Sequence, residues 1–409
     1  MIVVGGGIGG LCLAQGLRGA GVSVAVYEKA ERHPQASWQQ GYQIHINAAG
    51  SAALADCLPA DTYEQFTAKA LRPREGVQLL TAQLEQINTL QPHAIAGSNP
   101  IVRTTLREVL LTGLDDVVRF NKAFVRYEQV AGGRIRAIFS DGSSAHGDVL
   151  VGADGTGSRV RAQYLPHATV EDIGLVGAAG KLPLTEETRS YLPNPLLTRL
   201  AGVRAPGGLY MVVTQSIHKP QGDAAAAATS SASERTDEEA DHLIWVFVSS
   251  RAAYGDDPGS LFHHGPKLQK LALQLIHDWH PALQRMVADT DPTVISATAL
   301  RAAHDVEPWE TTNVTLVGDA IHAMPPLQGQ GGSTALRDAA LLCRKLVEVE
   351  RGETRLLSAI NDYESAMLTY GFEAVHSARR MASMIRSGSP PTGGFLAYSR
   401  ASFGLKQST

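Results

Sequence analysis

The sequence predicts an α/β protein built in two interleaved parts, and three observations predict it. The first is Gly5-Gly6-Gly7-Ile8-Gly9-Gly10, set between short apolar runs at 1–4 and 22–27. The second is the stretch 317–332, where Val317-Gly318-Asp319 leads through Pro325-Pro326 into Gly329-Gln330-Gly331-Gly332. The third is a change of texture between about 173 and 300, where β-rich runs replace the strand–helix–strand pattern. Two glycine loops of different design, at opposite ends of one chain, point to a long nucleotide gripped at both ends.

The first loop sits in a βαβ unit. Leu11, Ala14 and Leu17 recur at helical spacing between the two apolar runs. In the G-x-G-x-x-G pattern Gly5 makes the tight turn, Gly7 lets a pyrophosphate approach the backbone, and Gly10 lets the helix pack on the sheet. The helix start then offers unpaired N–H groups to phosphate charge. Glu28 closes the second strand, where a carboxylate accepts hydrogen bonds from a ribose diol and repels a 2′-phosphate. The first strand is short, so the reading allows for a few missing residues ahead of it.

Further along, Val149-Leu150-Val151 reads as a buried strand followed by Asp154-Gly155, a turn by itself. Arg103 opens a helical segment whose first turn is a poor place for a cation, which hints that Arg103 faces an anion or polar ligand. The runs 175–182, 198–204, 209–215 and 243–249 read as an antiparallel sheet suited to one wall of a pocket. Met211, Trp245 and Phe247 either line that pocket or pack the core. The tract 221–241, rich in Ala, Ser and Thr and then acidic, reads as a disordered excursion. An amphipathic helix follows around 268–276. The strand 314–317 ends at Gly318-Asp319, at the edge where open α/β sheets bind ligands, and the loop 325–332 feeds a helix carrying Leu336, Ala339, Ala340, Cys343 and Leu346.

Composition excludes several classes. Of 409 residues, 44% are hydrophobic and 19% charged, an ordinary globular balance. Thirty-six Lys and Arg stand against 40 Asp and Glu with no basic block, which argues against nucleic acid or a stable association with anionic membrane. Cys12, Cys57 and Cys343 lie far apart in sequence and signal neither a disulfide framework nor zinc; His277 and His280 share a helical spacing without a third ligand, so no metal is expected. No apolar run reaches the roughly 18 residues of a membrane span, and the start lacks a charged leader, so a cytoplasmic protein is expected.

Taken in order, G-x-G-x-x-G at Gly5 to Gly10, Arg-x-x-Leu at Arg103 to Leu106, Asp154-Gly155, Trp309 ahead of Asn313-Val314-Thr315-Leu316, and Gly318-Asp319 resemble the FAD-dependent aromatic hydroxylases, the class A flavoprotein monooxygenases with the p-hydroxybenzoate hydroxylase fold. The resemblance covers nearly the whole chain. It implies a Rossmann-like FAD-binding domain (1–72, 98–172 and 290–386) with an interleaved β-sheet substrate domain (73–97 and 173–289), C-terminal helices, and a tail at 387–409.

The resemblance also assigns residues. Gly5, Gly7, Ile8, Gly9 and Gly10 would hold the adenosine end of FAD with Glu28 on the ribose. Asp319 would hold the ribityl chain, while Pro326, Gly329, Gln330, Gly331, Gly332 and Ser333 would meet the pyrimidine edge of the isoalloxazine. Arg103 would touch FAD from the side, Asp154 would support the FAD site and the place where the nicotinamide coenzyme reacts, and Gly41 and His45 would lie on a strand passing the flavin. Many members carry Asn where this chain has Ser333, so a hydroxyl replaces a carboxamide. His45 is the one candidate for catalytic proton transfer, because an unperturbed histidine titrates near neutral pH.

The implied activity is oxygen transfer. NADPH or NADH reduces FAD, O2 adds as a C4a-hydroperoxide, and one oxygen hydroxylates or epoxidises a hydrophobic aromatic or polycyclic small molecule. No second G-x-G-x-x-G unit occurs, which argues against flavoproteins with a separate nicotinamide domain. Two alternatives stay open: an FAD-dependent reductase or halogenase on the same fold, although the Trp-x-Trp-x-Ile-Pro motif of halogenases is missing, or a non-catalytic FAD-binding protein.

Overall fold

Ile2–Val4 lies at the centre of a five-stranded parallel sheet in the order Val314–Leu316, Leu150–Gly152, Ile2–Val4, Ala25–Tyr27, Val118–Arg119. A computed structural model describes residues 1–32, 42–90, 99–219, 240–255 and 258–387. Ile2–Val4 and Val314–Leu316 are β-branched or leucine throughout, and Leu150–Gly152 is so up to its closing glycine, as a sheet covered on both faces requires. Val3 stands opposite both Val151 and Val26. Gly41 and the tract 220–239 fall outside the described residues.

The helices that start at the two glycine loops, Ile8–Gly19 and Gly331–Glu350, pack on each other. They approach so closely that a Cβ on Gly9 would lie 3.3 Å from the Ala335 carbonyl oxygen. This crossing draws both loops to the same edge of the parallel sheet. It also brings together cysteines that lie far apart in sequence. Cys12, Cys57 and Cys343 come from three different helices and converge beside Gly16, where a Cβ would meet Cys343 Sγ at 2.7 Å and Cys57 Sγ at 3.2 Å. All three are free and buried. The contact with Cys12, followed by burial, pushes the Cys57 thiol up, and the contact with Cys57 together with burial does the same for Cys343. Both shifts favour the neutral thiol, as suits residues that pack in a core.

The β-rich region forms a seven-stranded sheet ordered Ser296–Ala303, Val170–Pro183, His242–Ser250, Leu209–Ser216, Leu200–Ala205, Val77–Thr81, Gln86–Leu90. Every pairing is antiparallel except that between Leu200–Ala205 and Val77–Thr81. Ser296–Ala303 belongs to this sheet, so it extends past residue 289, where the sequence placed its end. One face carries Met211, Trp245 and Phe247, all 0% exposed, against the helices Gly265–Leu275 and Pro281–Ala288. These three are core residues. Trp245 presses on Gly180 and donates its indole N–H to Thr290 Oγ1 at 2.9 Å. The opposite face, with Val77, Leu79, Tyr210 and Val248, packs against Leu327 and against Met381, Ala382 and Ile385 of the long helix Leu356–Ser387. Leu327 sits in the second glycine loop, so the sheet abuts that loop directly. No helix among the described residues is long and apolar enough to cross a membrane.

Candidate functional site

The first glycine loop has the geometry its composition demands. Gly5 adopts φ +111°, and a Cβ there would fall 2.3 Å from the Ala153 carbonyl oxygen on the neighbouring strand end. A Cβ on Gly10 would fall 2.2 Å from the oxygen of Gly5 itself. Gly7 differs: a Cβ there would meet nothing within 4 Å. The helix Ile8–Gly19 has neither a side-chain N-cap nor an acidic residue in its first turn. Its leading N–H groups therefore face a cleft of about 410 Å³ with no protein charge assigned to them.

Gly5, Glu28, Arg103, Asp154 and Arg159 line this same cleft, as do Gly7 and Ile8. Glu28 is held over the loop by two backbone donors, Gly6 N–H at 2.5 Å and Ala30 N–H at 2.8 Å. Arg103 begins the helix Arg103–Leu111 and anchors its own N–H on the Tyr42 carbonyl at 3.1 Å. Its guanidinium forms no ion pair among the described residues, and its charge is felt by Arg107 and Asp319. Asp154 is engaged within the chain. Ser158 Oγ donates to Oδ1 at 2.5 Å and the Arg159 N–H to Oδ2 at 2.7 Å, so the carboxylate organises the start of the helix Arg159–Tyr164. It shapes the cleft through this turn.

Sequence reasoning passed over Arg161, which joins the two halves of the site. Its Nη1 donates to the Ala320 carbonyl at 2.8 Å and its Nη2 to the Thr156 carbonyl at 2.9 Å, tying the turn after Asp319 to the turn after Asp154. The side chain is only 8% exposed.

Gly318 takes φ +62°, which favours glycine, and its N–H donates to Asp338 Oδ2 at 2.7 Å. The same carboxylate binds His322 Nε2 at 2.7 Å and accepts the Tyr370 hydroxyl at 2.7 Å. His322 and Asp338 are both wholly buried. Burial lowers the His322 pKa, but the charge and hydrogen bond of Asp338, aided by Asp319, outweigh it and raise the pKa overall. This network also escaped the sequence reading. The one signal was an acid, Asp338, on the apolar face of a helix beside Ala339 and Ala340.

Asp319 projects into open space, yet dense walls surround it. Desolvation raises its pKa against the lowering effects of His322 and Arg103. An accessible carboxylate in so enclosed a place is a candidate to meet a polar ligand group. A Cβ on Gly331 would lie 3.7 Å from Asp319 Oδ1, so Asp319 and the second loop share one wall. That loop runs through a 3₁₀ turn at Pro326–Gln328, reverses at Gly329 (φ +61°), passes Gln330, and enters the helix Gly331–Glu350. This helix again has no side-chain cap and no acid in its first turn. Gly332 faces Ile44 and Ile46. Ser333 is spent internally: its Oγ accepts the Asn47 N–H at 3.1 Å and donates to the His45 carbonyl at 3.4 Å. It pins the loop to the strand Gln43–Ile46 and is a positioning residue.

His45, on that strand, sits beside Gly329, where a Cβ would lie 3.7 Å from its own Cβ. Its Nδ1 accepts from Arg74 Nη1 at 3.3 Å, which leaves the proton on Nε2. Burial, then the Arg74 charge, drops its pKa to about 3. The near-neutral titration that motivated an acid–base role is therefore absent in the folded chain, and the ring stays neutral across the working range. His45→Gln is expected to leave the shape of the turnover–pH profile unchanged between pH 5 and 9. An inflection near neutral pH that vanishes in the variant would return His45 to acid–base duty.

A family profile for an FAD binding domain matches residues 269–377, and one for an NAD(P)-binding Rossmann-like domain matches residues 3–34. A solved structure from Photorhabdus luminescens, described as an FAD containing monooxygenase, is 34% identical and superposes with a TM-score of 0.82 over 94% of this chain and 97% of its own. The dual O-methyltransferase/FAD-dependent monooxygenase elcB of Phaeosphaeria nodorum is 29% identical over 91% of this chain but only 42% of its own length. The chain thus spans less than half of the curated relatives of that dual kind. An FAD-dependent urate hydroxylase of Klebsiella oxytoca is 27% identical over 83% of this chain and 79% of its own. With two glycine loops meeting at one sheet edge and full-length similarity above 30% to a flavin monooxygenase, the chain belongs to the FAD-dependent aromatic hydroxylase family of flavoprotein monooxygenases.

Proposed function

We propose that this protein is an FAD-dependent monooxygenase that takes electrons from NADPH or NADH and places one atom of O2 on a small, hydrophobic aromatic or polycyclic molecule. The observation that carries the reading is the pair of uncapped helix starts, at Ile8 and Gly331, brought to one sheet edge with Asp319 between the second of them and the turn at Gly318. The chain's groups fit FAD. Open space at Gly7, Gly155 and Gly157 leaves backbone to meet a pyrophosphate, and Glu28 lies where a ribose diol would take up its carboxylate. Asp319 would accept from ribityl hydroxyls, and Arg103 would flank the cofactor. Pro326, Gly329, Gln330, Gly331 and Gly332 would meet the pyrimidine edge of the ring, where the N–H groups of the helix start oppose negative charge. Bound FAD would supply the electron transfer and oxygen activation. The protein would orient the substrate beside the second glycine loop and keep water from the reacting atoms.

In this reading the parallel sheet and its helices form the FAD-binding part, and the seven-stranded sheet, with Ser296–Ala303 included, forms the substrate part. Similarity to a urate hydroxylase supports a small planar substrate. The test is a purified protein examined for a flavin spectrum, for anaerobic bleaching by NADPH or NADH, and for O2 uptake with an aromatic panel. Copurified FAD and uptake matched by oxygenated product are expected. Failure to bind FAD at all, or recovery of all consumed oxygen as hydrogen peroxide with every compound, would sink the proposal.

A further inference from the structure

Ala323 follows the short helix Asp319–His322, the turn that carries Asp319. Bonds from three different elements hold this turn. Asp338 accepts the Gly318 N–H ahead of it, Arg161 donates to the Ala320 carbonyl within it, and the Ala303 N–H donates to the Ala323 carbonyl behind it at 2.7 Å. The first two stay within the half built on the parallel sheet. The third crosses over, because Ala303 ends the strand Ser296–Ala303, an edge of the seven-stranded sheet.

Arg379, on the long helix Leu356–Ser387, grips that strand end. Its Nη2 donates to the Ala303 carbonyl at 2.8 Å, its Nε reaches the same oxygen at 3.3 Å, and its Nη1 pairs with Glu171 at 2.5 Å. Glu171 stands opposite Ala302 on the adjoining strand Val170–Pro183, so the guanidinium spans both strands where they leave the sheet. Ala303 is 1% exposed, and its carbonyl meets a charged donor while its N–H holds the Asp319 turn.

The same helix is fastened to the cofactor half. The Tyr363 hydroxyl donates to the Leu316 carbonyl at 2.8 Å and the Tyr370 hydroxyl to Asp338 at 2.7 Å. A Cβ on Gly371 would fall 2.6 Å from the His322 ring. Tyr363 and Arg379 lie roughly 24 Å apart along the helix axis. One stiff element thus contacts the strand before Asp319, the carboxylate that holds Gly318, and the strand end that holds Ala323.

We propose that Arg379 is a positioning residue for the cofactor: by fixing Ala303 it fixes Ala323, and so sets the aim of Asp319 at the ribityl chain relative to the substrate sheet. It acts through the backbone and not by contact with FAD. A charged donor holds a carbonyl more firmly than a neutral one, and a site group keeps its aim only when its supporting partners are themselves held. The inference rests on the FAD reading above.

Amide hydrogen exchange of the FAD-loaded protein, compared with Arg379→Ala, tests it. Exchange at the Ala303 amide and across 319–324 is expected to speed up roughly tenfold or more. The FAD dissociation constant, read from flavin fluorescence, should rise roughly three- to tenfold, the worth of one misaimed hydrogen bond, and the visible circular dichroism of the bound flavin should change. Arg379→Lys, which can place one donor on the Ala303 carbonyl, should fall between. Glu171→Gln removes the ion pair but leaves the carbonyl bonds, and should stay near the parent in every readout. The proposal is overturned if Arg379→Ala speeds exchange only in the helix end 380–387, or speeds it at 303 and 319–324 while flavin affinity and dichroism stay parental. It is also overturned if Glu171→Gln acts as strongly as Arg379→Ala. Where Arg379→Ala does not fold, Arg379→Lys decides, and parental exchange or parental flavin signals in that variant overturn the proposal. A protein that never binds flavin fails the earlier reading; one that binds flavin and keeps parental flavin signals in both Arg379 variants fails this one alone.

Discussion

Asp338→Ala is expected to destabilise the protein by about 3–5 kcal/mol, because it strips one partner from a fully buried charge pair. The carboxylate serves three donors: the Gly318 N–H, His322 Nε2 and the Tyr370 hydroxyl. Alanine leaves all three without an acceptor in a region with no solvent access. A urea denaturation series gives the effect as a shift in midpoint. In a double-mutant cycle, His322→Ala combined with Asp338→Ala should cost clearly less than the sum of the single changes, since either one already breaks the pair. Additive losses would mean that the pair is not a unit. The consequence reaches function through the backbone. With Gly318 released, Asp319 loses its fixed aim, and FAD affinity should fall even in preparations kept folded by low temperature.

The same pair gives stability a pH signature. The folded His322 pKa lies above its ordinary 6.5, so the native chain holds that proton more tightly than the unfolded chain. Its contribution is complete below pH 6.5 and declines as pH rises through the folded value, at up to about 1.4 kcal/mol per unit. His45 has the opposite sign. With a folded value of about 3, its contribution is present above pH 6.5 and is lost as pH falls toward that value. Urea midpoints should therefore decline on both sides of neutrality. Asp338→Ala should flatten the alkaline side alone.

The second large effect separates two glycines of one loop. Gly10→Ala places a Cβ 2.2 Å from the Gly5 oxygen, a backbone overlap that only movement of the helix Ile8–Gly19 can relieve. A stability loss of about 1–3 kcal/mol or more and loss of FAD are expected together. Gly7→Ala adds a Cβ that meets nothing within 4 Å, at a residue whose φ of −80° any amino acid adopts. Stability should stay within about 0.5 kcal/mol of the parent, while FAD binding weakens roughly tenfold or more, because the methyl group occupies space that the pyrophosphate needs. Retention of parental FAD affinity by Gly7→Ala would remove the pyrophosphate from this loop.

Both predictions mark how far the sequence can be read. The loop at Gly5 to Gly10 and the turn at Gly318-Asp319 are legible because a left-handed φ, a close backbone approach or a helix start restricts residue type locally. The β-rich runs were legible through alternation, although the strand Ser296–Ala303, dominated by alanine, carries too weak a pattern to be assigned to the right sheet. His45 was visible as a histidine but not as a neutral one, since burial and the neighbouring Arg74 set its pKa.

The sequence by itself therefore determined the α/β class, the two glycine loops and the order of motifs that places the chain among FAD-dependent enzymes. Only the tertiary structure decided that Asp154 accepts the first N–H groups of a helix, that Ser333 pins the second loop, that three distant cysteines share one site, that Asp338 holds Gly318, and that Arg161 ties the turn after Asp154 to the turn after Asp319. The division has one physical reason. Backbone conformation is specified by neighbours in the chain and leaves a local pattern, whereas the charge and hydrogen-bonding state of a buried side chain depends on groups that only folding brings within a few ångströms.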